Sequence, residues 1–495
     1  MSNDERNSLM SDQMATGETA RPSVGSRPRA AAYLITATLA LAFSYDLMRK
    51  PIQIPDSLID ILHMQQSPSV YATFQDAVAQ RAYLRPLRIV QVKALFDVAD
   101  GHYWLVFRGF HALLLVCLLL LFTRALRIQS WTDFAAGVFA IMVLTGMHTF
   151  RGTVREAFPI NHFAEILLFC LLTLNLAQSR GGWWVDVAAA VTFLAASLTL
   201  ESGLLVWVVA VVGWLCGMRG ISRRGVTAMT LLLAVYFVVR FAYLSTGAPG
   251  LDERPAGVWL TMLTQEELIR RFGADPTLFY IYNVAASVMS VLFAEPERGV
   301  FLTVRAWIVD GETPARLYLA ILPTMATTVL ITWAVVARLR GRARSMPRLS
   351  DQFLVLFVAV LLANSALSYA YTKHEIVSVA GAFYALAAFA AARHAIERMR
   401  EPGGRMPQAA LCVVLAALAS AWAFRSVGVH HVIQVQAFKE QLQWARLDVT
   451  RLAERDYPSD ARAQALAASL RRDALALPIP NPHLLRGWPD TWWGE

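Results

Sequence analysis

The chain has 495 residues, of which 56% are hydrophobic and 16% are charged, and its formal net charge is +9. This composition, with a mean hydropathy of +0.44, excludes an ordinary soluble globule and predicts a polytopic membrane protein. The positive charge does not indicate a nucleic-acid partner, because the arginines concentrate in short loops beside hydrophobic segments, as membrane orientation requires. The four cysteines, Cys117, Cys170, Cys216 and Cys412, lie in apolar segments, so we expect neither a disulfide nor a zinc site.

The N-terminal region, residues 1–29, is polar and lacks an apolar periodic run, so it is predicted to be a disordered cytoplasmic segment. Arg21, Arg27 and Arg29 precede the first hydrophobic segment, Ala30–Met48. This order predicts an uncleaved first transmembrane helix whose N-terminus is cytoplasmic.

Ten further segments approach or exceed the roughly 17 residues that a helix needs to cross the hydrocarbon core. They are Tyr103–Phe122, Trp131–Met147, Pro159–Ala177, Trp183–Thr199, Gly203–Met218, Val226–Leu244, Leu317–Ala337, Gln352–Tyr371, Ile376–Ala392 and Gln408–Phe424. The segment Pro276–Ala294 is also apolar, but a full crossing there places the arginines of 338–348 outside, against the positive-inside bias. We therefore expect an all-α transmembrane helix bundle of about 11 crossings plus a re-entrant or interfacial segment. An error in the short pair Trp183–Met218 is the alternative explanation.

This topology divides the chain into a transmembrane domain, residues 30–424, and a periplasmic C-terminal helical tail, residues 425–495. The long outer loops are 49–102 and 245–316, whereas the inner turns are short and basic. Loops held by a rigid scaffold commonly carry function, so we expect the functional residues on the outer side. In the second long loop, Trp259–Arg271 has the pattern of an interfacial amphipathic helix. It either covers a lipid-sided groove or packs against neighbouring spans.

Two features of the tail have alternative interpretations. His430 and His431 are adjacent, so they diverge on a helix and are predicted to be surface residues. Trp488, Trp492 and Trp493 near the C-terminus either anchor at the lipid headgroups or stack on sugar rings.

The first outer loop holds candidate acids. Asp56 and Asp60 are four residues apart, so on a short helix both carboxylates face the same way. Asp46 stands at the membrane edge of the loop. A carboxylate held between lipid and water suits a general base that acts on an acceptor hydroxyl. The alternative is structural, because Asp56 follows Pro55 as a good helix N-cap and Asp60 fits a solvated helix face.

Three stretches in the first half of the chain resemble the GT-C superfamily of integral-membrane glycosyltransferases, which use polyprenyl-phosphate sugars. The first is Tyr83–Leu87, followed by the span opening Tyr103–His111. The second is His148 with Arg155–Pro159, in the second outer loop. The third is the turn Leu198–Gly203. The likeness is greatest to the protein O-mannosyltransferase and related bacterial branch.

The resemblance implies a GT-C-like fold and an inverting membrane glycosyltransferase in a bacterial inner membrane. Such an enzyme moves a sugar from a polyprenyl-phosphate carrier to a lipid, glycan or protein acceptor on the periplasmic side. It also implies a first-loop acid as general base, and of Asp46, Asp56 and Asp60, each of which stands alone, Asp56 is favoured. Glu156 is expected to orient the acceptor, to hold a metal, or to pair with a neighbouring arginine.

The resemblance further implies basic residues, with or without a divalent metal, that stabilise the leaving phosphate. The candidates near the outer surface are Arg85, Arg151, Arg155, Arg240, Arg271, Lys373 and His374. Arg240 is distinctive because it lies within an otherwise apolar span, where an ionisable group is costly. For each cation, contact with lipid headgroups is the alternative role. No nitrogen-rich ligand set is evident, so a bound metal would be Mg²⁺ or Mn²⁺ held by oxygen ligands.

Two other functional classes are compatible with this topology. A polysaccharide transporter would need polar residues deep in several spans and usually shows a repeat between halves, and no convincing repeat is visible. A non-catalytic membrane scaffold, or a polymerase component, would not require a particular acid in the first loop.

Overall fold

The structure is a computed structural model that describes residues 26–54, 57–79, 84–155, 159–244, 263–295, 300–311, 314–340, 349–399, 408–458, 460–479 and 493. Every regular element within these residues is helical, which confirms the predicted all-α class. The first helix begins at Ser26. Residues 26–29, at the end of the segment predicted to be disordered, are therefore helical.

The helices of the first half are α1 (Ser26–Leu47), α2 (Ser57–Gln66), α3 (Val70–Ala79), α4 (Pro86–Ala99), α5 (Tyr103–Ala125), α6 (Trp131–Gly146), α7 (His148–Arg155), α8 (His162–Ala177), α9 (Trp183–Ser197) and α10 (Leu205–Leu215). Those of the second half are α11 (Arg223–Phe237), α12 (Gln265–Phe272), α13 (Thr277–Phe293), α14 (Val300–Arg305), α15 (Ala315–Arg340), α16 (Leu349–Leu367), α17 (Ser378–Met399), α18 (Gln408–Arg446), α19 (Val449–Asp456) and α20 (Ala461–Ala476). A 3₁₀ turn at Glu201–Leu204 precedes α10, and π-helical turns at Val238–Tyr243 and Ala306–Asp310 extend α11 and α14.

Seven of the described helices are long and apolar enough to cross a membrane, namely α1, α5, α11 with its π-helical turn, α15, α16, α17 and α18. Two bent pairs, α6 with α7 at 64° and α12 with α13 at 85°, raise this number to nine if each pair is one span. Helices α8, α9 and α10 are apolar but shorter. The polytopic bundle is thus confirmed, and the count of about eleven crossings stays a prediction.

Helix α17 lies at the centre of the bundle. Almost all of it is buried, and it packs against α6, α15 and α16. Its buried face consists largely of alanines with Gly381, and small side chains let neighbouring membrane helices approach closely. The close packing brings α7 across one end of α17.

The bundle has two ends, and α1 runs between them. We call the end where α1 finishes the outer end and the end where α1 begins the inner end, following the predicted topology. At the outer end, α2, α4, α19 and α20 share a hydrophobic cluster that includes Trp444. The first outer loop and the tail therefore form one layer.

Helix α18 joins this outer layer to the bundle. It runs without a break past Phe424, the predicted end of the last span, to Arg446. Trp422 and Ile433 on α18 pack in the main core, whereas Trp444 packs in the outer layer. The last membrane helix and the start of the tail are thus a single helix.

Candidate functional site

The entry to the first outer loop is fixed by buried charges. Lys50 and Arg108 are fully buried, and Lys50 Nζ lies 3.0 Å from Glu440 Oε1 on α18. Arg108 on α5 donates from Nε to the Lys50 carbonyl at 3.0 Å and from Nη2 to the Pro51 carbonyl. Because backbone carbonyls buried without a donor are costly, these bonds hold the chain where it leaves α1.

Two tryptophan side chains also bond to the backbone of this loop entrance. Trp104 Nε1 donates to the Lys50 carbonyl at 3.2 Å, and Trp444 Nε1 donates to the Ile52 carbonyl at 2.6 Å. The loop entrance is therefore held from α5 on one side and from α18 on the other. Asp56, the favoured base, follows shortly after this anchored stretch. Asp56 itself and Glu156 lie outside the described residues.

Asp46 is held by α18. Its carboxylate is buried, lies 2.6 Å from His430 Nδ1 and accepts from Gln434 Nε2 at 3.3 Å. Phe43, about one turn earlier on α1, stacks on the His430 ring with centroids 4.2 Å apart. The prediction that His430 and His431 are surface residues is wrong, because His430 packs against α1 and His431 is buried.

Asp60 lies elsewhere. It is half-buried on α2, close enough to the tail that its negative charge helps to raise the pKa of Tyr457, after the larger effect of burial. Asp46 thus contacts α18, whereas Asp60 approaches the tail.

A small cavity with basic walls lies at the outer end, between α7, the start of α15 and the middle of α18. Its volume is about 50 Å³, and His148, Arg151, Arg316 and Arg425 contribute to its lining. We call it the basic pocket. None of the described residues that line it is acidic. At about 1.5 Å per residue, about 26 Å of α18 precede Arg425, close to the thickness of the hydrocarbon core, so we expect the pocket to lie at headgroup depth.

Arg425 is held in place by α15. Its Nη1 donates to the Ala320 carbonyl at 2.9 Å and to Thr324 Oγ1 at 2.8 Å. The guanidinium also lies over the Trp422 ring, 4.4 Å from its centroid, an arrangement that favours a cation. These contacts fix one wall of the basic pocket.

His148 forms another wall and links to a predicted phosphate-binding residue. His148 Nε2 lies 3.0 Å from Ser290 Oγ, and His374 Nδ1 lies 3.1 Å from the same hydroxyl. The two imidazole rings meet edge to face, with centroids 4.7 Å apart. His374 thus contacts His148, which lines the pocket, without lining it itself.

Helix α7 carries His148 and Arg151 one turn apart, and seven of its eight residues are buried. Arg155, at its end, forms an ion pair of 3.3 Å with Glu375. Asn161 holds the same end, because its Nδ2 donates to the carbonyls of Gly152 and Thr153 at 3.0 and 2.8 Å. The Asn161 side chain also caps α8, so one amide fixes α7 relative to α8.

A second charged cluster surrounds Glu201, the acid of the Leu198–Gly203 turn. Arg85 Nε donates to both carboxylate oxygens, at 3.0 and 2.8 Å. Arg240 Nη1 lies 3.2 Å from Glu201 Oε1 and donates to Tyr236 OH at 2.8 Å. Two guanidinium groups and one carboxylate leave a formal charge of +1. The predicted phosphate-binding residues Arg85 and Arg240 therefore meet at Glu201, and neither lines the basic pocket.

The remaining predicted cations lie on the surface. Arg271 on α12 is 43% exposed and 4.0 Å from Glu267, and Lys373 is exposed, over the Tyr371 ring. Neither lines the basic pocket. Sequence reasoning named Arg151 but missed Arg316 and Arg425. Arg425 directly follows the predicted last span, so it resembled an ordinary flanking charge.

Trp493 from the C-terminal end also lines the basic pocket. Its ring lies 4.8 Å from that of Phe424 and packs against Gly428, where an added Cβ would meet the indole. Trp488 and Trp492 lie outside the described residues. The indole of Trp493 thus borders the basic pocket. This position is compatible with both predicted roles of the tryptophans, anchoring at the lipid headgroups and stacking on a sugar ring.

Within the described part of the chain, no three His, Cys, Asp or Glu side chains come together in a way that could hold a metal ion. No family model, curated protein or solved structure matches the chain.

Proposed function

We propose that this chain is a membrane glycosyltransferase of the GT-C kind, which moves a sugar from a polyprenyl-phosphate carrier to a lipid, glycan or protein acceptor at the outer end. The basic pocket carries the proposal. Three guanidinium groups and an imidazole converge there, at the depth expected for the lipid headgroups, where the phosphate of a lipid-linked donor would lie. Guanidinium groups match phosphate oxygens in two-point contacts.

In the proposed reaction the acceptor oxygen forms a bond to the anomeric carbon as the bond from that carbon to the phosphate oxygen breaks. Negative charge grows on the departing polyprenyl phosphate, and Arg151, Arg316 and Arg425 stabilise it. Attack opposite the leaving group inverts the anomeric configuration. Trp493 offers an aromatic face beside the pocket for the sugar ring.

The acceptor proton passes to a carboxylate from the first outer loop, for which Asp56, Asp60 and Asp46 are the candidates, with Glu156 from the second loop. The contacts of Lys50 at the loop entrance support this assignment, because Lys50 Nζ also donates to the Arg155 carbonyl at the end of α7. The helix that carries His148 and Arg151 is therefore tied to the start of the acidic loop.

The donor site is tested by binding to purified protein in neutral phosphatidylcholine nanodiscs. The probes are a polyprenyl phosphate and the same polyprenol without phosphate, and thermal unfolding is the readout. We expect stabilisation by the phosphate-bearing lipid alone, and its loss in Arg316→Gln, whose side chain is half-buried at the start of α15. The control is Arg270→Gln on α12, where the side chain is 73% exposed. Equal stabilisation by the polyprenol, or an unchanged response in Arg316→Gln, would contradict the proposal.

The transfer step is tested with alanine substitutions at Asp46, Asp56, Asp60 and Glu156, one at a time. Membranes that contain labelled polyprenyl-phosphate sugars supply the donor, and incorporation into membrane and protein fractions is measured. We expect at least one variant to lose transfer at normal protein level. Four fully active variants, or a reporter fusion that places residues 49–102 in the cytosol, would overturn the proposal and favour the scaffold or transporter alternative.

A further inference from the structure

A second cavity lies at the inner end, opposite the basic pocket. Its volume is about 250 Å³, and it opens between the start of α1, the end of α5 and the end of α8. Arg29, Arg124 and Arg127 contribute three guanidinium groups to its lining. We call it the inner pocket. The described lining residues include no carboxylate.

The walls of the inner pocket are tied together by polar contacts. Asn175 Nδ2 donates to the Leu121 carbonyl at 3.0 Å, and Gln178 Nε2 donates to the Ala125 carbonyl at 3.2 Å, so α8 is fixed to the end of α5. Thr36 and Thr123 share a buried hydrogen bond of 2.7 Å that joins α1 to α5. The inner pocket is therefore a built cavity between three connected helices.

Arg127 has an unusual backbone. Its φ is +49°, in the left-handed region that a residue with a Cβ rarely adopts. This turn directly follows α5 and places Arg127 on the same cavity as Arg124. Partial burial lowers the pKa of the Arg127 guanidinium, and a bound anion would offset that desolvation.

We propose that the inner pocket binds a phosphate-bearing anion, either the phosphate of an anionic phospholipid headgroup or a soluble phosphate compound. Three arginines without a lining carboxylate select negative charge, and the planar guanidinium suits phosphate oxygens. The position at the ends of membrane helices is the depth of a headgroup, where basic pockets between helices bind anionic lipids. The polar side chains of Tyr33 and Ser179 also line the cavity and supply hydroxyls for further contacts.

This site is independent of the proposed transfer reaction, because none of its residues belongs to the basic pocket or to the Glu201 cluster. Failure of either proposal leaves the other standing. The inner pocket offers a binding site on the side of the membrane from which the N-terminus enters.

The test uses the full chain in phosphatidylcholine nanodiscs. Phosphatidylglycerol is one probe and inorganic phosphate the other, and binding is followed by thermal unfolding and by native mass spectrometry. We expect phosphatidylglycerol to bind on the order of tenfold more weakly to the Arg124→Gln/Arg127→Gln double variant, a loss of about 1.4 kcal/mol. Both residues are exposed, so the double variant is expected to fold. The Arg124→Lys/Arg127→Lys variant keeps the charge but loses the two-point guanidinium contacts, so it should bind more tightly than the double glutamine variant and more weakly than the unsubstituted protein.

The matched control is Arg223→Gln/Arg224→Gln. These exposed arginines start α11 at the same end of the bundle, where Gly220 N donates to the Ala177 carbonyl at 2.8 Å, but they do not line the cavity. The control should bind as the unsubstituted protein does. A response to phosphate alone would identify a soluble phosphate compound as the ligand. The proposal is overturned if neither probe binds, or if both double glutamine variants behave alike.

Discussion

Lys50 and Glu440 form a buried ion pair in which Nζ and Oε1 are 3.0 Å apart and the two side chains are 0% and 1% exposed. Gln436 Nε2 donates to the same carboxylate oxygen at 3.0 Å. The pair joins the start of the first outer loop to α18. Because Lys50 Nζ also donates to the Arg155 carbonyl at the end of α7, the loop entrance is fixed beside α7. Such a pair specifies how segments distant in sequence are arranged, although its net stabilisation is small because both ions are desolvated.

Removing one charge of this pair is expected to be costly. In Glu440→Gln the Lys50 ammonium stays buried without its carboxylate, and the expected loss is about 3–5 kcal/mol in the free energy of unfolding. Thermal unfolding of the purified protein measures it, with Lys439→Gln at the exposed neighbouring position as the control. The double variant Lys50→Met/Glu440→Leu should lose less than Glu440→Gln alone. Equal unfolding temperatures for Glu440→Gln and Lys439→Gln would contradict this account.

The contacts of Glu201 predict that Glu201→Gln destabilises the protein more than Arg85→Gln does. Glu201→Gln leaves two guanidinium groups close together, one of them on Arg240, whose side chain is only 4% exposed. Arg85→Gln still leaves Arg240 paired with the carboxylate, and the Arg85 side chain is 24% exposed. We therefore expect Glu201→Gln to cost about 3 kcal/mol and Arg85→Gln to cost less, by thermal unfolding.

Glu266 on α12 is exposed, so Glu266→Gln controls for the removal of one negative charge and should leave the unfolding temperature unchanged. If Arg85→Gln destabilised the protein more than Glu201→Gln, the carboxylate would not be the centre of the cluster.

Close packing of α7 on the central helix predicts a sharp contrast between two glycines. A Cβ added at Gly381 on α17 would meet Thr149 Oγ1, whereas one added at Gly109 on α5 meets nothing within 4 Å. Gly381→Ala should displace α7, lower the unfolding temperature by overpacking worth about 1–3 kcal/mol, and weaken polyprenyl-phosphate binding. Gly109→Ala should be neutral or stabilising by up to about 1 kcal/mol, since alanine favours helix. Similar behaviour of the two variants would show that the contact with Thr149 is easily relieved.

The hydrogen bonds of Asn161 predict that its aspartate and alanine variants differ in stability. Its Oδ1 accepts from Ala164 N at 3.0 Å, while its Nδ2 serves two buried carbonyls on α7. Asn161→Asp keeps the helix cap and loses the two donated bonds, whereas Asn161→Ala loses all three. We expect the alanine variant to be less stable than the aspartate variant by about 1 kcal/mol, the usual value of an N-cap, in chemical or thermal unfolding. The reverse order would mean that burying a charged carboxylate beside those carbonyls outweighs the cap.

The amino-acid sequence by itself determined the class and the order of the elements. Water excludes apolar side chains, and a backbone in lipid must satisfy its own hydrogen bonds, so long hydrophobic segments dictate helices locally. The long helices α1, α5 and α16 were therefore predictable. That Pro276–Ala294 is re-entrant or interfacial stays a prediction, and the 85° bend between α12 and α13 was not predicted.

Only the tertiary structure decided which polar groups meet. From the sequence, Arg85 and Arg240 were predicted as separate phosphate ligands, yet both contact Glu201. Arg425 resembled a charge that flanks a span, yet it lines the basic pocket with Arg151 and Arg316. Such pairings depend on how helices cross and on the rotation of each about its axis, and hydrophobic periodicity leaves these quantities open. A charged side chain finds its partner only after the bundle has packed, because its electrostatic energy depends on distance and burial rather than on position in the chain.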